Sequence, residues 1–228
     1  MKFFKTTIAI LLFASFIFSC STTNAQEKKG RIPFYALPYY NYDPLTITIG
    51  KYKKELLTED TTELIALAKK IKADVNNTDI ESLYFLSIRL YDLGRKDDAY
   101  YWFLTAQSRA RIFIKVLDPK EIGGIGAEAF EWKQLFITIY NLVGPYLNGY
   151  GFNDIDKGIA VYEKVKSEMK NIQTFKNVYP NIHFLDDSIF EKEKTNSEKN
   201  LAEAIEYFKT HKEEIKKKRI ETGVQDKY

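Results

Sequence analysis

Apolar positions recur at helical spacing through most of the chain beyond residue 60, and the clearest stretch is Leu83–Pro119. Leu83, Leu86, Leu90 and Leu93 line one helical face, and Gly94 follows as a C-terminal stop. After a charged turn, Arg95–Asp98, the residues Ala99, Phe103, Ala106, Ala110 and Phe113 repeat the spacing. This predicts a helix, a tight turn and a second helix running to about Leu117. Upstream, Asp60 followed by Glu63 is a capping-box-like start for a helix from Thr61 to about Ala73, with Leu64, Leu67, Ala68 and Ile71 inward. Asn76–Asp79 is a turn, and Asp79 is placed to cap the central pair. Downstream, a helix is expected over Ala127–Val143, carrying Phe130, Leu135, Phe136, Ile139 and Leu142 and broken by Gly144-Pro145. The next starts at Asp154 and ends near Asn171. Thr174–Phe190, around Pro180, reads as irregular. A final helix from about Glu198 to Arg219 buries Leu201, Ala204, Ile205, Phe208 and Ile215. The pattern is all-α, with five to seven helices.

Before residue 60 the pattern changes. Pro33, Pro38 and Pro44 exclude a long helix over Ile32–Tyr52, where Phe34, Tyr35, Tyr39, Tyr40, Tyr42 and Tyr52 crowd together. An extended aromatic-rich arm over residues 32–57 is expected, its rings covering helical surface. Leu45–Ile49 alternates like a short strand without a partner. Ser21–Arg31 is a polar tether. Residues 1–20 carry basic Lys2 and Lys5, an apolar run Ile8–Phe18 too short to span a bilayer, and the lone cysteine Cys20, which fits a secretory signal. The expected organisation is a signal peptide at 1–20, a tether at 21–31 and a single helical domain over 32–228.

Two resemblances follow from these residues. Leu83, Leu86, Leu90, Gly94, Ala99, Phe103 and Ala106 resemble one tetratricopeptide repeat, over residues 83–106. The sequence departs from that family at Leu83, Ser87 and Leu90, where it has Trp, Gly and Tyr, and at Arg111, where a Pro ends the repeat. The runs Lys157–Val165 and Glu203–Phe208 are similar to second helices of such repeats without convincing first helices. The resemblance implies helical hairpins stacked as a degenerate array, with the small residues Gly94, Ala99 and Ala106 at close crossings. Ile17-Phe18-Ser19-Cys20 resembles a bacterial lipobox, which implies cleavage before Cys20, acylation there and an outer-membrane lipoprotein. The competing expectation is cleavage after Ala25 and release as a soluble protein.

Charge and composition narrow the chemistry. The formal net charge is +3, and Lys2 and Lys5 account for two of those charges, so the remainder is near neutral and gives no electrostatic case for nucleic acid. One cysteine leaves no intramolecular disulfide, so packing alone must hold the fold. His183 and His211 have no His or Cys at metal spacing, and no metal is expected. Gly123, Gly124 and Gly126 lack the Lys-Ser/Thr ending of a phosphate loop, no Gly-x-Ser-x-Gly elbow occurs, and no motif demands a cofactor. The most unusual segment is Trp102–Arg111, which places Gln107, Arg109 and Arg111 in an otherwise apolar helix. It resembles a stretch in a set of uncharacterised bacterial helical proteins, without an implied activity. Gln107 and Arg111 share a face, and Arg111 is expected to pair with Glu128 or Glu131 on the returning helix, while Arg109 points elsewhere. The alternative is an arginine fork holding a carboxylate or phosphate in a groove.

The leading functional expectation is an exported, non-enzymatic helical protein that binds another protein in the envelope, as a scaffold, adaptor or toxin-neutralising immunity protein. The alternative is a hydrolase using Glu128 and Glu131 as a carboxylate pair.

Overall fold

The computed structural model describes residues 50–224 and 227. Cys20, the signal segment, the tether and residues 32–49 of the expected arm, including Leu45–Ile49, lie outside the described residues. Among those described the fold is all-α, with seven α-helices and no strand. No described helix is long and apolar enough to cross a membrane.

The first helix, α1 (Thr61–Ala73), begins where expected. Asp60 accepts from the backbone N–H groups of Thr62 and Glu63, so two free donors of the first turn are satisfied. The reciprocal arm of the cap runs through Thr58, whose hydroxyl accepts from Asp60 N and donates to Glu63. Asp79 caps α2 (Ile80–Asp92) through Ser82 N and also accepts from Lys51 N at 3.0 Å, which ties the start of the described chain to this helix. Gly50 permits that contact, because a Cβ there would meet the Asp79 carboxylate at 2.0 Å. α2 ends in a Schellman turn: Gly94 adopts φ +80°, Arg95 N donates to Leu90 O and Gly94 N to Tyr91 O.

α3 (Lys96–Val116) is the axis of the molecule. It starts inside the charged segment expected to be a turn, because Asp97 and Asp98 favour a helix N-terminus and Arg95 closes on Asp98 at 2.7 Å. It packs against α2 most extensively, and against three later helices: α4 (Glu128–Gly151), α5 (Ile155–Met169) and α6 (Asp187–Thr210). Every residue from Ala99 to Ala110 is consequently buried. Phe113 extends this core with rings on two other segments, Phe136 of α4 at 5.3 Å, and Phe175 at 5.6 Å and Tyr179 at 4.9 Å from the stretch between α5 and α6.

Three expected boundaries are corrected. Gly144-Pro145 does not end α4. Pro145 and Asn141, whose carbonyl loses its helical partner, are both exposed to water, while Val143, Gly144, Leu147 and Gly149 are buried and hold the helix together. The irregular stretch closes at Asp187 rather than Phe190, because Phe190 is buried against Phe175. The final helix is two helices, α6 and α7 (Lys212–Glu221), interrupted at His211. α7 buries no residue and is tied to α4 by its own Arg219, which donates to Gly149 O at 2.9 Å.

Of the expected close-crossing positions, Gly94 is corrected as well. Ala99 and Ala106 are fully buried, but a Cβ on Gly94 would meet nothing, so this glycine serves φ and not packing. Among the described glycines, close approaches lie at Gly151, where a Cβ would sit 2.1 Å from the Tyr100 ring, and at Gly158, where it would sit 2.6 Å from Gly151 O.

Candidate functional site

Three helices, α1, α3 and α5, leave a groove between them that holds two cavities. The inner one, of about 190 Å³, is lined by Val75, Asn76, Arg109, Val165, Glu168 and Met169, with Lys72 at its edge. The outer one, of about 510 Å³, is lined by Lys69, Lys72, Arg95, Trp102 and Lys164 among others. Lys72 belongs to both and forms the partition. It pairs with Glu168 at 2.5 Å and donates to the Tyr101 hydroxyl, which in turn donates to Glu168 at 2.6 Å. Lys164 lies 4.2 Å from the centre of the Tyr101 ring, a cation held over a π-face. Burial and then the Glu168 carboxylate push the Tyr101 phenol well up.

Arg109 forms the floor of the inner cavity. Its side chain is buried, 4% exposed, and Nη2 donates to Val75 O at 2.9 Å and Asn76 Oδ1 at 3.1 Å. Nε has no partner. Asn76 fixes the far wall, since its amide donates to Asn171 O and its Oδ1 also accepts from Gln173 N. Burial lowers the guanidinium to about 10, partly offset by the Tyr179 and Tyr101 phenols.

Beneath this groove lies a second buried polar group. Ile80 N donates to the Tyr179 hydroxyl at 2.8 Å, and that hydroxyl donates to Glu81 Oε2 at 2.7 Å. Glu81 is pushed up to about 8, first by burial and then by Asp79. Sequence reading missed Glu81. The periodicity gave no signal: Glu81 lies on the same arc of α2 as Ser82, Arg89 and Asp92, which reads as a solvated face, and only the packing of residues 175–182 buries it.

The structure divides the expected polar cluster. Gln107 and Arg109 are buried, but Arg111 is exposed and does not pair with Glu128 or Glu131. Its charge is felt instead by the buried phenols of Tyr84 and Tyr162. Both glutamates are exposed and engaged at their own helix start, Glu131 accepting from Gly126 N at 2.8 Å and Glu128 from Trp132 Nε1 at 3.4 Å. For Glu131 the reason is local: Ala127 at the N-cap offers no side-chain oxygen. Neither glutamate lines either cavity. No group of three or more His, Cys, Asp and Glu side chains among the described residues is placed to hold a metal ion.

No family model matches the chain, and no solved structure matches it. An uncharacterized protein of Haemophilus influenzae is 28% identical over 149 residues, which is 63% of this chain and 54% of that protein. The chain thus spans about half the length of that relative.

Proposed function

We propose that this is an exported, non-enzymatic helical protein that holds an acidic segment of a protein partner in the α1/α3/α5 groove, within the bacterial envelope. The observation that carries the reading is the outer cavity, where Lys69 and Lys164 stand beside Trp102 and Tyr101, while Arg95 and Lys72 on the same wall are already met by Asp98 and Glu168. Cations around aromatic side chains suit a peptide of opposite charge, giving steering and specificity together. The α2–α3 hairpin, with its Schellman turn at Gly94 and small residues Ala99 and Ala106, supports descent from a degenerate tetratricopeptide-like stack preceded by α1. Scaffold, adaptor and toxin-neutralising immunity protein are versions of this role. The anchor of the reading is Cys20 in its lipobox-like setting, with an acylated outer-membrane protein favoured over release after Ala25. The hydrolase alternative gains no support from Glu128 and Glu131, which are solvated and bound to their own helix start.

The test is capture from envelope extract with the wild-type chain and with Lys69→Glu/Lys164→Glu, a pair of exposed substitutions that leave the core untouched. An acid-rich protein recovered by the wild type and lost by the double variant is expected. Equal recovery by both overturns the groove as the docking surface.

A further inference from the structure

We propose that the inner cavity beside Arg109 is a binding site for one carboxylate group carrying a short apolar tail. The proposal deepens the groove reading by naming what enters its innermost part. Arginine carries five donors and a permanent positive charge. In Arg109 two hydrogen bonds go to neutral oxygens, Val75 O and Asn76 Oδ1, and Nε is buried with no partner. Among the described residues no carboxylate pairs with it. A buried charge of this kind is costly unless an anion meets it, and none of the described residues supplies one.

The cavity fixes the class of anion. The carboxylate on its wall, Glu168, is already neutralised by Lys72 and Tyr101, so the inner cavity holds a surplus of one positive charge. A single negative charge balances that surplus, whereas a dianionic phosphate adds repulsion against Glu168. The planar guanidinium matches a carboxylate. The rest of the wall is apolar, from Val75, Val165 and Met169. A dry cavity of about 150 Å³ admits benzene, so the volume here of about 190 Å³ takes a tail of about three to five carbons. A free short-chain acid and the C-terminal residue of a partner chain present the same chemistry.

The experiment follows the Arg109 Nε–H resonance of the full chain, labelled at arginine, during titration with sodium butyrate or butyramide at constant ionic strength. Saturable movement with butyrate and none with the neutral isostere is expected, together with a rise in thermal midpoint specific to butyrate. Arg109→Gln should weaken binding by at least about tenfold. The wild-type resonance decides the matter even where that variant does not fold. A second arm compares short peptides ending Ala-Val as free acid or as amide. Response to butyrate supports a free acid as ligand, and response only to the free-acid peptide supports a partner's terminus. Equal response to butyrate and butyramide, or to none of these probes, overturns the site. Failure here with continued charge-dependent capture leaves the groove reading intact, and butyrate binding without any capture removes the groove reading alone.

Discussion

Arg109 and Arg111 stand two residues apart on α3 and about 200° apart around it, and they meet opposite conditions. Arg109 enters the interior between α1 and α5 and finds backbone and amide oxygens. Arg111 emerges on the other side, exposed, with phenols rather than carboxylates as its surroundings. The difference teaches that, in a helix enclosed by four others, charge is placed by the depth of each flank and not by the nearest acidic residue in sequence. Glu128 and Glu131 lie close in the chain, but the Trp132 indole and the Gly126 amide engage them first.

The comparison is broken most directly at Arg109. Arg109→Ala should cost about 2–4 kcal/mol in chemical denaturation, since two charge-assisted hydrogen bonds are lost. Arg109→Met should cost less than Arg109→Ala, because it fills the space and removes a buried charge. Losses equal to those of Arg111→Ala would erase the asymmetry. Glu81 provides the next largest effect, through pH. Its folded value of about 8 lies above the ordinary 4.5, so the folded state keeps a proton that the unfolded chain has released. Stability therefore falls as pH rises through that window, by up to about 1.4 kcal/mol per pH unit, and the contribution is full below it and gone above it. Glu81→Gln should flatten this slope in unfolding curves measured from pH 5 to 8. Lys72→Met breaks a pair whose side chains are about a third or more exposed, and the loss should stay under about 1 kcal/mol. Arg111→Ala should stay within about 0.5 kcal/mol in the same measurement.

What the sequence made legible was local. Asp60, Asp79 and Asp154 cap helices through donors two or three residues away, and Gly94 stops α2 through its own φ. The hairpin that follows needs nothing else. The start of α6 was hidden because no buried residue lies between Phe190 and Leu201. That stretch is a solvated helix supported by pairs such as Glu191–Lys194 at 2.7 Å, which leave no apolar period to read. Pro145 misled because its cost depends on whether the orphaned carbonyl reaches water, a tertiary fact. Within the candidate site, the oddity of the Gln107–Arg111 segment was visible. Which arginine turned inward was not, because Val75, Asn76 and Glu168 arrive from α1's end and from α5.

The Tyr179 clasp also sets an order of events. Its hydroxyl joins Ile80 and Glu81 across 99 and 98 residues, whereas α2 and α3 meet through a turn of a few residues. Closing so long a loop costs chain entropy before any contact repays it. The hairpin can therefore form early in a refolding reaction, and the clasp must wait until residues 175–182 have come back to it. Ile80 lies in the first turn of α2, where an amide has no intrahelical acceptor, so its hydrogen exchanges with solvent whenever Tyr179 lets go. That one amide is a built-in reporter of how often the Tyr179 segment leaves the start of α2.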